Sequence, residues 1–316
     1  MVQLLRTRKV GQVKVLFVNT HHPKCGVHQF GSRFFKLLAS VPTVERCNYT
    51  TVDENGGFNN REPYDIVIAN VHHPIQNALS HRPNLSFAKH KLALVYEHAP
   101  EGYDGYILSA PDNHLQTSLP VYLIGRPLVC DSPPPSTLGL PEETLVVGSG
   151  GFVHEWAVLV ARRIAGCYPH IHLRLHLPQG KFAVNDEVER TVARCRAALG
   201  GWNQVSVETG FMSDDWLLNF FRQNHINCFI RPLEAGPGIS SILDHAVSVN
   251  RPIAINRCPM FRDLYESTPE VLVENHGIMD IVRAGPSVLD EFRFSNRTEI
   301  LVQQLQSILE QQVNKP

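Results

Sequence analysis

The chain has 316 residues, 43% hydrophobic and 19% charged, which is enough for two ordinary domains with buried cores and too apolar for a disordered polymer. Twenty-nine basic side chains stand against 30 acidic ones, a formal net charge of −1, and that balance argues against a nucleic-acid binder working through phosphate contacts. Seven cysteines, at 25, 47, 130, 167, 195, 228 and 258, are odd in number and include no CxxC, so they read as reduced, mostly buried thiols of a cytosolic protein and not as a disulfide framework or zinc site.

In chain order, the basic start MVQLLRTRK is not followed by the apolar stretch of a signal peptide, because Gly11, Gln12 and Lys14 interrupt it. No run approaches the roughly 18 apolar residues of a membrane span. A cytoplasmic protein is expected, with at most peripheral membrane contact. The near-continuous apolar run 13–18 predicts a strand covered on both faces. Further strands are expected at 65–69, 92–96, 106–108 and 121–124. Consecutive prolines at 133–135 then mark a stiff connector, so a first domain is expected over 1–130 and a linker over 131–143.

The same rhythm restarts in a second domain, expected over 144–294. Strands are expected at 145–147, 171–177, 205–207, 228–230 and 253–255. In the second of these Ile171, Leu173, Leu175 and Leu177 alternate with His172, Arg174 and His176. Helical spacing joins Val153, Trp156, Ala157, Val160, Ala161 and Ile164, and again Ile239, Ile242, Leu243, Ala246 and Val247. A last amphipathic helix, within an expected segment 295–316, shows the stripe Leu301, Leu305, Ile308 and Leu309. Strand–helix alternation on both sides of one joint predicts an α/β chain of two doubly wound, parallel-sheet, Rossmann-like domains. Ligands of such sheets bind where strands end and loops lead into helices.

Three post-strand loops are rich in glycine and open into helices. They contain Cys25-Gly26-Val27, then Gly148-Ser149-Gly150-Gly151-Phe152, then Arg231-Pro232-Leu233-Glu234-Ala235-Gly236-Pro237-Gly238-Ile239-Ser240-Ser241. Glycine lets backbone amides approach a ligand, and amides at a helix start carry partial positive charge. Two such loops in one domain suit a diphosphate. Neither GxGxxG nor a Walker lysine motif is present. Asp244, one turn into the third helix, reads either as a ribose-binding carboxylate or as an exposed helix acid favoured by the dipole.

The stretch from Cys228 to Asn256, with Met260-Phe261-Arg262-Asp263-Leu264 after it, resembles the donor loop of retaining nucleotide-sugar-dependent glycosyltransferases with the GT-B architecture, of the group 1 kind. The resemblance implies two Rossmann-like domains facing across a cleft, the first on the acceptor side and the second binding the donor. It implies no cofactor beyond the donor itself, a UDP- or GDP-sugar, and no metal. Glu234 matches the family's first acid, near the transferred sugar. Gly236, Gly238, Ile239 and Ser240 match the turn over the diphosphate, with Gly150, Gly151 and Gly26 as further phosphate-facing glycines, and Asp244 stands at the ribose position. A histidine from an N-domain loop is expected near the sugar, which singles out His98 beside Glu97.

Two departures stand out. Nine residues separate Glu234 from Asp244, more than in the family, and no Lys follows Phe152 to neutralise the departing diphosphate. Arg231 or a protonated His154 is the expected substitute. The favoured activity is sugar transfer to a glycan or other hydroxyl with retention. The alternatives are a nucleotide-sugar epimerase, or a degenerate nucleotide-sugar-binding module. Among 16 histidines, the paired His21-His22 and His72-His73 read as polar strand ends stopped by proline. Trp202 and Trp216 read as packing residues, and Arg162 and Arg163 as solvated charges.

Overall fold

The computed structural model describes residues 12–52, 62–70, 87–96, 99–110, 115–134, 138–178, 186–201, 203–235, 238 and 240–314. The chain divides into two units, residues 1–127 with 298–316, and residues 128–297.

In the first unit the elements are β1 (Val13–Thr20), α1 (Gly26–Ala39), β2 (Val44–Val52), β3 (Tyr64–Asn70), β4 (Ala88–Val95), β5 (Gly105–Leu108) and β6 (Val121–Leu123). They form a six-stranded parallel sheet in the order β2-β1-β3-β4-β5-β6. Every residue of β3 is buried, as expected of a strand covered on both faces. β2 is a strand that the apolar pattern does not announce. Its sequence VERCNYTTV is half polar because it lies at the sheet edge with one neighbour.

At the carboxyl ends of β1 and β3 two asparagines tie the sheet to α1. Asn70 Nδ2 donates to Asn19 Oδ1 at 2.7 Å and to the Val27 carbonyl at 2.9 Å, and Asn19 Nδ2 donates to the His28 carbonyl at 3.0 Å. Gly31 makes this possible, since a Cβ there would run into both side chains.

In the second unit β7 (Leu145–Gly150), α2 (Glu155–Ile164), β8 (Ile171–His176), α3 (Glu187–Leu199), β9 (Gln204–Glu208), α4 (Asp214–Arg222), β10 (Ile226–Phe229), α5 (Ser241–Val247) and β11 (Ile253–Ile255) follow one another. The short α6 (Arg262–Ser267), α7 (Ile278–Ala284) and α8 (Asp290–Ser295) come after them. The sheet is again parallel, in the order β11-β10-β7-β8-β9. Both expected sheets are present. Ile171, Leu173, Leu175 and Leu177 enter one core cluster with the buried face of α2, as their alternation predicts.

The segment after Pro127 travels with the second unit. Val129 N donates to Ser248 Oγ at 2.9 Å, and Arg251 Nη1 to the Leu138 carbonyl at 3.3 Å. The change of unit therefore precedes the prolines. Helix α9 (Thr298–Val313) belongs to the first unit and does not stand apart. Its stripe Leu301, Leu305, Ile308 and Leu309 is buried. Gln312 Nε2 donates to Tyr122 OH at 2.5 Å, and Gln304 Oε1 accepts from the Gly125 amide at 3.1 Å.

Candidate functional site

In the second sheet β7 and β10 are neighbours, although the chain builds β8 and β9 between them. The winding direction reverses at this pair, and in open parallel sheets the crevice beyond such a reversal is where ligands bind. Two of the three glycine loops, those after β7 and β10, leave the sheet there. The strand order thus puts Gly150–His154 beside Arg231–Glu234, a juxtaposition that their separation in sequence does not reveal.

Arg231 connects the two loops. Its guanidinium is buried, with 3% of the residue exposed, and Nη2 donates to the Gly150 carbonyl at 2.8 Å while Nη1 donates to the Ile230 carbonyl at 3.3 Å. The Trp156 ring lies 4.5 Å from the guanidinium carbon, and that of Phe229 5.7 Å. Among the described residues no carboxylate pairs with it, and Nε has no hydrogen-bond partner. Burial pushes its pKa down to about 10. Gly151 has φ +142, a backbone conformation that favours glycine, and a Cβ there would stand 3.1 Å from Nη2, close enough that the guanidinium would have to shift by a few tenths of an ångström. The backbone of Arg231 is pinned as well. Its N–H donates to Asn256 Oδ1 at 2.9 Å, and its carbonyl accepts from Asn256 Nδ2 at 2.7 Å.

The remaining expected residues fall as follows. Gly238 and Ser240 are buried ahead of α5, with Ser240 at its N-cap, while Gly236 and Ile239 lie outside the described residues. Glu234 is exposed in the turn after Arg231. Asp244 is fully buried and engaged by its surroundings, which overturns the exposed-acid reading. His154 is buried too. Its Nε2 donates to the Pro178 carbonyl at 3.2 Å, and Nδ1 stands 3.6 Å from Glu187 Oε1, so the ring ties the start of α2 to the segment after β8 and to α3. Gly26 opens α1 in the first unit, whereas Glu97, His98, His72, His73 and Trp202 lie outside the described residues.

Arg162 and Arg163 are both exposed, as expected of solvated charges, and the Arg163 guanidinium also donates to the Val273 carbonyl. Trp216 does pack, stacking on Phe220 at 5.3 Å and lying 5.6 Å from His176. Two histidines are structural members of this end of the sheet. His176 Nε2 donates to the Gly210 carbonyl at 3.0 Å, and burial lowers its pKa. His245 Nε2 stands 2.7 Å from Asp214 Oδ1 and joins α5 to α4. Among the described residues no three or more His, Cys, Asp or Glu gather as a metal cage, and no helix is long and apolar enough to cross a membrane.

The two parallel sheets, their order and their connections give the chain the GT-B fold of glycosyltransferases. HepE from Anabaena, solved with UDP and glucose, superposes with a TM-score of 0.57 over 95% of each chain at 13% identity. The α,α-trehalose 6-phosphate synthase of Burkholderia multivorans superposes with the same score over 96% of this chain and 98% of its own, at 8% identity. No family model matches the sequence, and no curated protein matches it.

Proposed function

We propose that the chain is a glycosyltransferase that moves a sugar from a nucleoside diphosphate sugar, UDP- or GDP-linked, to an acceptor hydroxyl with retention at the anomeric carbon. The observation that carries this reading is the buried guanidinium of Arg231, held at the strand reversal of the second sheet with no carboxylate beside it among the described residues. An unpaired ion in a protein interior costs several kcal/mol. A chain that retains one is best explained by an anion that arrives there, and a diphosphate between two glycine loops is such an anion. The shared fold with HepE, which was solved with UDP and with UDP-glucose, supports the same choice.

In this reading the bond between the anomeric carbon and the diphosphate oxygen breaks as the acceptor oxygen attacks from the same face. The leaving phosphate oxygen takes the acceptor proton. Arg231, held by the Gly150 carbonyl, and the amides of Gly238 and Ser240 stabilise the developing negative charge, in positions set before the reaction starts. Glu234, exposed beside Arg231, is the carboxylate assigned to the transferred sugar. The first unit is assigned to the acceptor side, while its Gly26 is assigned to the donor phosphates and its His98 to the transferred sugar.

A thermal-shift panel of nucleoside diphosphates and their sugars tests the reading, since a bound ligand raises the midpoint by mass action. A midpoint unmoved by every UDP and GDP ligand sinks it. Glu234→Gln is expected to slow transfer about 100-fold or more with the fold intact, the scale of losing a group positioned at the reacting centre. Initial rates at saturating donor check this, and an unchanged rate removes Glu234 from the site. Asp244→Ala is expected to weaken UDP binding about tenfold, the scale of a charge-assisted hydrogen bond. If 2′-deoxy-UDP loses as much affinity as UDP, buried Asp244 supports the loop and does not hold the ribose.

A further inference from the structure

We propose that Trp156 is the positioning residue that holds the Arg231 guanidinium stationary and fully charged for an incoming diphosphate; the inference rests on the nucleotide-sugar reading of the site. A buried guanidinium can be held in two ways. A carboxylate would stabilise it best, but it would also neutralise the charge and occupy the donors that an anion needs. An aromatic face attracts the cation through its quadrupole and leaves the net charge untouched.

The chain uses the second way. Trp156, half-buried in the first turn of α2, presents its ring 4.5 Å from the guanidinium carbon, with Phe229 at 5.7 Å. The other described partners are two uncharged carbonyls, those of Gly150 and Ile230. Gly151 completes the seat, because a Cβ on that residue would press on Nη2. The cation is thus fixed by a ring, two carbonyl oxygens and an absent side chain, and none of these cancels its charge.

The pairing also makes the site report its own occupancy. An anion bound at Arg231 changes the electrostatic field at the Trp156 indole, so tryptophan emission is expected to respond. The test compares wild type, Trp156→Leu and Trp156→Phe in calorimetric titrations with UDP, GDP, uridine, guanosine and pyrophosphate, with emission followed in parallel. Leucine removes the ring and is expected to weaken UDP or GDP and pyrophosphate about 3- to 30-fold, the span of a desolvated cation–π contact, without changing nucleoside binding. Phenylalanine keeps a ring and is expected to stay within about threefold of wild type while the emission response disappears.

Nucleoside diphosphate binding equal in Trp156→Leu and wild type overturns the inference and leaves the functional reading standing. So does a UDP, GDP or pyrophosphate affinity that falls well beyond threefold in Trp156→Phe, which decides the matter even if the leucine variant does not fold. Pyrophosphate binding that is sensitive to Trp156, with no preference for a nucleoside, keeps the positioning role and sinks the nucleotide-sugar reading. Wild type that binds none of these anions overturns both.

Discussion

Arg231→Met is expected to lose about 100- to 1,000-fold in sugar transfer, the scale of removing one preorganised donor to a developing charge, while its melting temperature stays the same or rises. The two effects have one cause. The wild-type guanidinium is desolvated with no carboxylate partner among the described residues, and methionine fills similar volume without the ionic penalty. Against that gain stand the Gly150 and Ile230 carbonyls, each losing a hydrogen bond worth about 1 kcal/mol net.

The sign can be checked by pH. The folded-state pKa of about 10 lies below the value of a free arginine, so the penalty is present in full below 10. Between those values the unfolded chain keeps the proton and the folded chain gives it up, so this group's contribution to stability improves as pH rises. The stability advantage of Arg231→Met over wild type is therefore expected to shrink above pH 10. Scanning calorimetry of both proteins measures it. A variant that melts well below wild type, or that transfers sugar at the wild-type rate, refutes this account of Arg231.

Gly148→Ala should be the most damaging small substitution for stability. Gly148 lies in β7 opposite Asn227 of β10, and an added Cβ would fall on Asn224 Nδ2 and stand 2.5 Å from Asn227 Oδ1. These asparagines are fully buried and mutually committed. Asn224 Nδ2 donates to Asn227 Oδ1 at 2.8 Å and to the Phe220 carbonyl at 3.0 Å, and Asn227 Nδ2 donates to the Phe221 carbonyl at 3.1 Å. Moving either side chain breaks a hydrogen bond in a place that water does not reach. Overpacking and an unsatisfied amide together predict a loss of about 3 kcal/mol or more, seen as a lower urea midpoint for the second unit. A midpoint within experimental error of wild type would show that the network tolerates displacement. Gly31 holds the equivalent place against Asn19 and Asn70 in the first unit.

What could be read from the sequence follows from how each signal arises. Buried parallel strands such as 13–18 and 171–177 declare themselves because both faces or one clean face must be apolar. β2 escaped because an edge strand with a half-polar sequence carries neither signature. The glycines after residue 147 marked a loop, yet β7 runs on through Gly150 before the chain turns. Arg231 was named as a possible diphosphate cation, but not the Trp156 ring that holds it, since Trp156 already fitted the apolar stripe of its helix. Asn256 follows a fully apolar strand and gives no local sign that it clamps the start of another loop. Each of these partnerships crosses between strands whose adjacency is set by sheet order, and one linear pattern does not encode that order.

The return of α9 to the first unit has a bearing on synthesis. A nascent chain emerges from its amino end, and domains generally fold as units while they do so. The helix that supplies Leu301, Leu305, Ile308 and Leu309 is translated only after the whole of residues 128–297. The unit translated second is contiguous and can be completed while the one begun first still waits with an uncovered apolar surface, so chaperone demand during translation should fall mainly on the amino-terminal portion.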